Sequence, residues 1–480
     1  MNKFWFLLAM MMAQNTFAQN NANVWTLRQC VDYAMQNSLN VQRNTYNVEN
    51  AEIDKSQAWM AMAPTLNAGS SFGYNWGRSI NPVTNQFTTR EISSLSPNAS
   101  SGVTVFNGMR IQNNIKASTK NLAASEAELE KAKNDVILDI INRYLTVVFN
   151  KELVENAKFQ LASSQQQLDR TKKQVAAGSL PISNELNLES QVATNELNLI
   201  NRENALALSL LQLKQAMQIP ASQELDIEIP ALEPEDLILE NSRDQIYEMA
   251  RQSLPEVKGA KLRVEGSYYA VKAAKGNLYP RLTLSGSINS NYSSANDEPQ
   301  PIISDGFDVI PTENPIGFVD GSNSPVFGYD ARFRSFTSGY GYREQLKDNI
   351  FRQAGLNLTI PLFNGFQARA NIRRQVINQR VAEITLKQTE NTVRQNVETA
   401  YNDAFAAAKT YTSTEKQVKA REEAFRMTKQ RFEIGAANFV EYQVAENDLF
   451  QSKSDLSRSK YDFIFKKRLL DFYQGKPILD

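Results

Sequence analysis

The side chains best suited to covalent or acid–base chemistry are scarce in this 480-residue chain: it has no histidine, and Cys30 is its only cysteine. Imidazole bases, His-containing triads and His metal sites are thereby excluded. One thiol cannot form an intrachain disulfide. No Gly-rich phosphate loop or nucleophile-elbow sequence occurs that would put a Lys, Ser or carboxylate to work. Asp305, Asp308 and Asp320 invite a Ca²⁺ reading, but their spacing matches no EF-hand loop, and a solvated loop is the better expectation. With 52 cationic and 52 anionic side chains and no basic block, the electrostatic footprint of a nucleic-acid binder is missing. Catalysis by carboxylates or Lys stays open without a motif to support it, so no catalytic residue, metal or cofactor is expected and an enzyme ranks behind a function built on shape and surface.

The opening "MNKFWFLLAMMMAQNTFAQ" has a cation at Lys3, an apolar run from Phe4 to Met12 and small residues before Gln19. It predicts a secretory signal over residues 1–18, cut after Ala18. No later segment approaches about 18 consecutive apolar residues, so no transmembrane helix is expected. An exported chain of this kind is either soluble or built into an outer membrane as a β-barrel. Arg28 and Gln29 precede Cys30 where a lipoprotein signal has small residues, which points to a buried thiol rather than a lipid anchor.

The positioning elements follow from an internal repeat. Phe106, Asn107 and Gly108 recur as Phe363, Asn364 and Gly365, a shift of 257 that also carries Tyr144 onto Tyr401, Gly178 onto Gly435 and Pro220 onto Pro477. Upstream the shift is 216, taking Ala34 to Ala250, Val41 to Val257 and Pro64 to Pro280. The difference is an insertion of 41 residues in the second copy, between Leu282 and Leu362. The division is a first repeat over 19–229, a linker over 230–240, and a second repeat over 241–480 with a long loop at about 293–350.

Each repeat has one order of parts. Thr26 to Ala63 lacks Pro and Gly and spaces its apolar residues as a helix, ending at Pro64. "TLNAGSSFGYNWG" alternates as a strand with one lipid-facing side, a polar loop follows, and "SGVTVF" returns. Phe72, Tyr74, Trp76 and Tyr292 are candidates for an interfacial aromatic girdle. Asn107 and Gly108, like Asn364 and Gly365, are expected to turn strand into helix, since both residue types tolerate positive φ. Long helices are predicted over Met109–Ala177 and Phe366–Ile434, each broken by Gly and followed by a second helix, Ile182–Gln218 and Val440–Tyr473. In the second repeat the first helix spans Asp244–Leu278 with a weak point at Pro255, and the strands span Arg281–Tyr292 and Phe351–Leu362.

The long helices carry narrow apolar seams, such as Leu122, Leu129, Val136, Ile140, Tyr144 and Val147, which suit coiled-coil partners. A soluble periplasmic coiled-coil adaptor or tether accounts for the helices but leaves the lipid-like strands without a purpose. Four strands cannot close a membrane barrel alone; three chains supply twelve. The fold class is mainly α with a small β part: long helices as an α-barrel plus a trimer-shared 12-stranded β-barrel.

This order of helix, "P-x-L" strand, strand, "FNG" and Gly-broken helix, duplicated, resembles the TolC family of outer-membrane efflux proteins. The junction "PLFNGF" and "RFEIGAANFVEYQVAENDL" are the most specific parts of the likeness. The resemblance implies a homotrimer in the outer membrane, in contact with its lipid, with helices crossing the periplasm. It also implies a periplasmic adaptor and an inner-membrane transporter as partners, and export of small molecules or proteins. It assigns Gly178, Ser179, Asn184, Glu185, Phe432, Gly435, Phe439 and Glu441 to the periplasmic tips, where an aperture and a docking surface lie. The family carries an acid six positions after the break Gly; here that position is Glu441, and Asn184 in the first repeat with Glu185 beside it. A further acidic position of the family is Val444 here, and an Arg of its closing network is Ala437. Phe432 and Phe439 flank the second turn, with packing between helices favoured over narrowing of the mouth.

Overall fold

In the computed structural model, which describes residues 24–80, 87–89, 91–230, 241–297, 303–335 and 339–477, the elements of the first half begin with β1 (Val24–Trp25), α1 (Leu27–Asn37) and α2 (Leu39–Met60). They continue with β2 (Thr65–Asn75), β3 (Arg78–Ile80), β4 (Phe87–Thr89), β5 (Ile92–Phe106), α3 (Arg110–Ala176), α4 (Ile182–Ala216) and β6 (Asp226–Ile227). The second half runs α5 (Arg243–Ser253), α6 (Pro255–Gly276), β7 (Arg281–Asn289), β8 (Tyr292–Ser293), β9 (Phe307–Phe318) and β10 (Pro325–Phe333). It ends with α7 (Tyr342–Asp348), β11 (Phe351–Thr359), α8 (Gln367–Glu433) and α9 (Phe439–Tyr473). The expected signal peptide and residues 231–240 of the expected linker lie outside the described residues.

The helices recur in register. α3 and α8 have 67 residues each, α4 and α9 have 35 each, and every bound moves by 257. At 1.5 Å per residue the long pair measures about 100 Å apiece. The first helices recur as well, each opened by a capping box: Thr26 with Gln29, and Ser242 with Gln245.

The helix expected over Thr26–Ala63 is instead two, divided at Ser38, whose ψ of 121° is extended. Its counterpart Leu254 is extended too, with ψ 130°. In the second half Pro255 enforces the break by excluding the helical conformation from the residue before it. Leu39 occupies that place in the first half, so nothing in the residue types marks it.

The chain gathers into two compact units, each drawing on both halves. One holds the described residues up to Lys55, Ala117–Tyr268 and the described residues from Val376 onward. Its helices bury two cores built on equivalent positions. In one, Cys30, Val31 and Ala34 of α1 meet Ile140, Tyr144 and Val147 of α3 and Leu213 of α4. In the other, Ile246, Tyr247 and Ala250 of α5 meet Val397, Ala404 and Leu470. The Tyr144 hydroxyl donates to the Glu228 carbonyl at 2.7 Å, tying the segment after α4 to α3. Burial pushes the Cys30 thiol up to about 12, so it holds almost no thiolate at neutral pH.

The other unit, Ser56–Lys116 and Tyr269–Gln375 where described, holds an antiparallel sheet in the order β11-β7-β5-β2, with β8 added to β5. β5 is longer than expected. It begins at Ile92 because Ile92–Ser100 continues the ladder with β2, down to Asn75 opposite Ile92. The stretch expected to be a solvated loop contains a β-hairpin of β9 and β10. A two-stranded ladder tolerates Pro311 and Pro315 because each strand has a free edge for the missing N–H. Asp308 pairs with Arg334 at 2.6 Å, and buried Gln345 of α7 donates to the Tyr340 carbonyl and accepts from Ser293 N, rooting the insertion beside β8.

At both strand-to-helix junctions the left-handed residues are the Gly and the one after it: Gly108 (φ 66°) with Met109 (63°), and Gly365 (60°) with Phe366 (70°). Asn107, expected to take positive φ, works by its side chain instead: Oδ1 accepts from Ile111 N at 3.4 Å, capping the start of α3. Gly108 is constrained twice, because a Cβ there would stand 2.6 Å from the Gly276 carbonyl oxygen. Gly435, with φ 76°, has open space at that position. Gly435→Ala is expected to cost about 1–2 kcal/mol for the left-handed backbone alone. Gly108→Ala adds a backbone overlap and is expected to lower the thermal midpoint further; equal losses would contradict the close approach to Gly276.

Candidate functional site

The turns after α3 and α8 are built alike because each reverses the chain through a left-handed backbone position that a side chain would strain. Gly178 (φ 73°) and Gly435 (φ 76°) take the left-handed position that ends a helix. Gly178 N donates to Val175 O and Ser179 N to Gln174 O, both at 2.9 Å. Gly435 N donates to Phe432 O at 3.1 Å and Ala436 N to Arg431 O at 2.7 Å, the same pair of bonds 257 residues on. The Ser179 hydroxyl adds a bond to Gln174 O at 2.8 Å.

The helices leaving the turns start differently. α4 follows Pro181, which supplies no side-chain cap, and has half-buried Asn184 and Glu185 in its first turn. α9 is capped by Asn438, whose Oδ1 accepts from Glu441 N at 2.9 Å. The Glu441 carboxylate accepts from Asn438 Nδ2 at 2.9 Å and faces Arg431 at 3.5 Å. Arg431 also donates to the Ala436 carbonyl at 3.1 Å. A negative side chain here offsets the helix dipole and locks the turn, and it remains about half exposed.

Phe432 and Phe439 pack on each other and on Tyr442, with ring centroids 6.4 Å apart for the pair and 5.0 Å from Phe432 to Tyr442. Around these turns Ile182, Leu186, Ile434 and Val440 are exposed. The turns and their helices thus form one neighbourhood, in which Arg170 of α3 faces Glu433 of α8 at 3.6 Å. The junction residues belong to the other unit. Asn107 is buried, with its Nδ2 lacking a partner among the described residues. Asn364 and Gly365 line an open cavity of about 710 Å³ with Asn277, Asn371 and Arg374.

Sequence reading missed a buried polar network close to the tips. Glu446 of α9, only 3% exposed, accepts from the Ser163 hydroxyl of α3 at 3.1 Å and from Tyr442 at 3.2 Å. Gln443 bonds Gln191, Gln191 donates to Asn195 at 3.0 Å, and Asn195 donates to Ser164 at 2.9 Å. The repeat held a signal for it. The shift of 257 carries Lys172 and Glu189, an ion pair at 3.0 Å, onto Lys429 and Glu446, which form none among the described residues. Tyr442 stands where the first half has Glu185, and it covers Glu446.

Burial pushes the Glu446 carboxyl above the ordinary range, only partly offset by the Ser163 and Tyr442 hydrogen bonds and by the charge of Lys429. The folded chain therefore holds this proton to higher pH than the unfolded chain. Folding loses stability as pH rises from the ordinary carboxylate pKa of about 4 through the raised value. Glu446→Gln keeps an acceptor and removes the ionisation. It is expected to match the wild-type thermal midpoint below about pH 4 and to exceed it at neutral pH. A lower midpoint at neutral pH would show that the charged form is the one the fold prefers.

A family profile described as outer membrane efflux protein matches residues 30–217 and 246–466. Nodulation protein T of Rhizobium leguminosarum bv. viciae is 21% identical over 432 residues, which span 90% of this chain and 78% of that protein. Among solved structures, CusC matches with a TM-score of 0.74 at 14% identity over 96% of each chain. VceC, an outer membrane protein of Vibrio cholerae, matches with a TM-score of 0.71 at 15% identity over 94% of this chain and 96% of its own. The CmeC outer membrane channel of Campylobacter jejuni matches at 0.71 and 14% identity over 98% and 92%. At such identities the structural likeness establishes the fold.

Proposed function

The chain belongs to the outer membrane efflux protein family, and from that membership we propose that it is the outer-membrane conduit of a tripartite export system. As a member it is an outer-membrane efflux channel rather than an enzyme, with helices extending into the periplasm. The finer reading is a homotrimer that receives cargo, small molecules or proteins, from an inner-membrane transporter through a periplasmic adaptor.

One observation carries the trimer. Within the chain, the returning strand of the first half, β5, pairs antiparallel with the outgoing strand of the second, β7. Their repeat equivalents are β11 and β2, the two strands left at the edges of the sheet. The same pairing between copies joins β11 of one chain to β2 of the next, and three chains with four long strands each close a ring of twelve. Closure satisfies the edges, which hydrocarbon does not tolerate open. It also gives a use to the exposed Leu66, Phe72, Leu356 and Leu358, which a soluble helical adaptor would leave in water.

At the tips, three copies of two turns make a mouth of six. Exposed Ile182, Leu186, Ile434 and Val440 suit an apolar docking contact with the adaptor, and three copies of Glu441 suit an anionic ring that favours cations. Val444 and Ala437 stand where the resembled family has charged residues, and the charged links at this turn among the described residues are Arg431–Glu441 and Arg170–Glu433.

Planar-bilayer recording of the full-length protein tests the channel. Discrete conductance steps are expected, and Glu441→Gln is expected to lower cation over anion permeability a few-fold, as befits roughly 1 kcal/mol per unit charge near contact in water. No steps would contradict the channel; unchanged selectivity would place Glu441 away from the narrowest point.

A further inference from the structure

Residues 55–90, 92–125, 266–296 and 349–382 contain no aspartate or glutamate, in a chain whose acids and bases are equal in number. Each stretch includes one of the four long strands and runs on into the helix attached to it. Absence of charge from a strand that meets lipid is ordinary, but here the helical ends lose one sign only. Arg110, Lys275, Arg369, Arg373 and Arg374 remain there, with Arg281 at the start of β7, and none of the six makes an ion pair among the described residues. Lys116 and Lys272 add to them, both lying over the Tyr269 ring.

These cations share one end of the sheet and one compact unit. Thr65 pairs with Gly102, Phe106 with Leu282, and Arg281 with Thr359, so all four strands meet their helices at that end. Lys275, Arg281, Arg369, Arg373 and Arg374 are exposed, and Arg110 is half-buried with a hydrogen bond to Asn277 at 3.2 Å.

Their placement works against the helices that carry them. Arg110 opens α3, and Arg369, Arg373 and Arg374 lie in the first two turns of α8, where neither first turn has an acid. α4, α5, α6 and α9 each have an acid there: Glu185, Asp244, Glu256 and Glu441. A cation at a helix N-terminus adds to the positive end of the dipole, which costs stability unless an anion from outside the chain supplies the counter-charge. Beside the cations, Trp59, Leu66, Tyr279, Leu358, Leu362 and Phe363 are exposed. Free phosphate would answer the charge and leave these side chains in water. A headgroup with acyl chains answers both, as at a lipid–water boundary.

We propose that this basic collar, at the end of the sheet where strands become helices, binds the anionic headgroups of phospholipids in the periplasmic leaflet of the outer membrane. It rests on the outer-membrane channel reading and adds to it the charge of the lipid selected.

Native mass spectrometry of the full-length protein in mild detergent, offered equal amounts of phosphatidylglycerol and phosphatidylethanolamine, tests it. Phosphatidylglycerol is expected to be retained over phosphatidylethanolamine by roughly fivefold for each cation engaged. That preference should shrink at high salt as screening shortens, and should be lost in R369Q/R373Q/R374Q. Equal retention of the two lipids by the wild type overturns the collar, and so does a preference indifferent to salt, a test that stands even if the triple variant fails to fold. A folded triple variant with full preference, or a peptidoglycan fragment held in place of lipid, overturns it as well. Conductance of the same preparation separates the two readings. A protein that conducts without lipid preference loses the collar alone, and one with the preference but no conductance keeps the collar and loses the channel.

Discussion

The ladder between β5 and β7 is the constraint on which the rest depends. It is the longer of the two ladders by which β5 bonds the second half of the chain, the other being with β8, and it runs from Asn98 opposite Asn289 to Phe106 opposite Leu282, where both strands meet their helices. Gly108 and Gly276 approach so closely that neither position has room for a Cβ, which locks the first junction against the end of α6. A duplicated chain that pairs half to half internally carries the matching surfaces on its outer edges. Membrane insertion then removes the option of leaving those edges unpaired.

At the other end of the long helices the constraint is polar rather than apolar. Gly178 and Gly435 reverse the chain with the same two backbone bonds, yet the helices beyond diverge: Asn438 and Arg431 hold Glu441, while Pro181 leaves α4 without a side-chain cap. Behind the turns, Glu446, Gln191 and Asn195 sit buried in a hydrogen-bonded network where a coiled coil would place apolar residues. Such a layer specifies one register between neighbouring helices, and it does so at a cost in stability that an apolar layer would not carry.

Much of the architecture was legible because the repeat is metric. A shift of 257 carries every bound of α3 and α4 onto α8 and α9, so Gly178, Gly435 and the Phe-Asn-Gly junctions were placed from residue identities alone. Three features escaped for physical reasons. The break at Ser38 needs a backbone turn that Leu39 does not enforce, whereas Pro255 does. The start of β5 is Ser-rich and contains Pro97, so propensity hides a strand that two neighbours hold in place. The hairpin of β9 and β10 reads as a loop because Pro311, Pro315 and Pro325 interrupt its β-branched and aromatic residues. Of the candidate site, the turn residues were visible and Glu446 was not, since burial of a carboxylate depends on which helices face it.

Closure between copies through β11 and β2 is tested most directly by disulfide cross-linking across the expected seam. Carrying the Ser100–Ser287 pair of β5 and β7 through the two shifts sets Asn357 of one chain opposite Ser71 of the next. Buried Cys30, with its thiol held protonated, does not compete. Oxidation of an Asn357→Cys, Ser71→Cys double variant in outer membranes is expected to give a ladder that ends at three chains. A ladder that stops at two, runs past three or fails to form in a folded protein would contradict a ring closed through these strands.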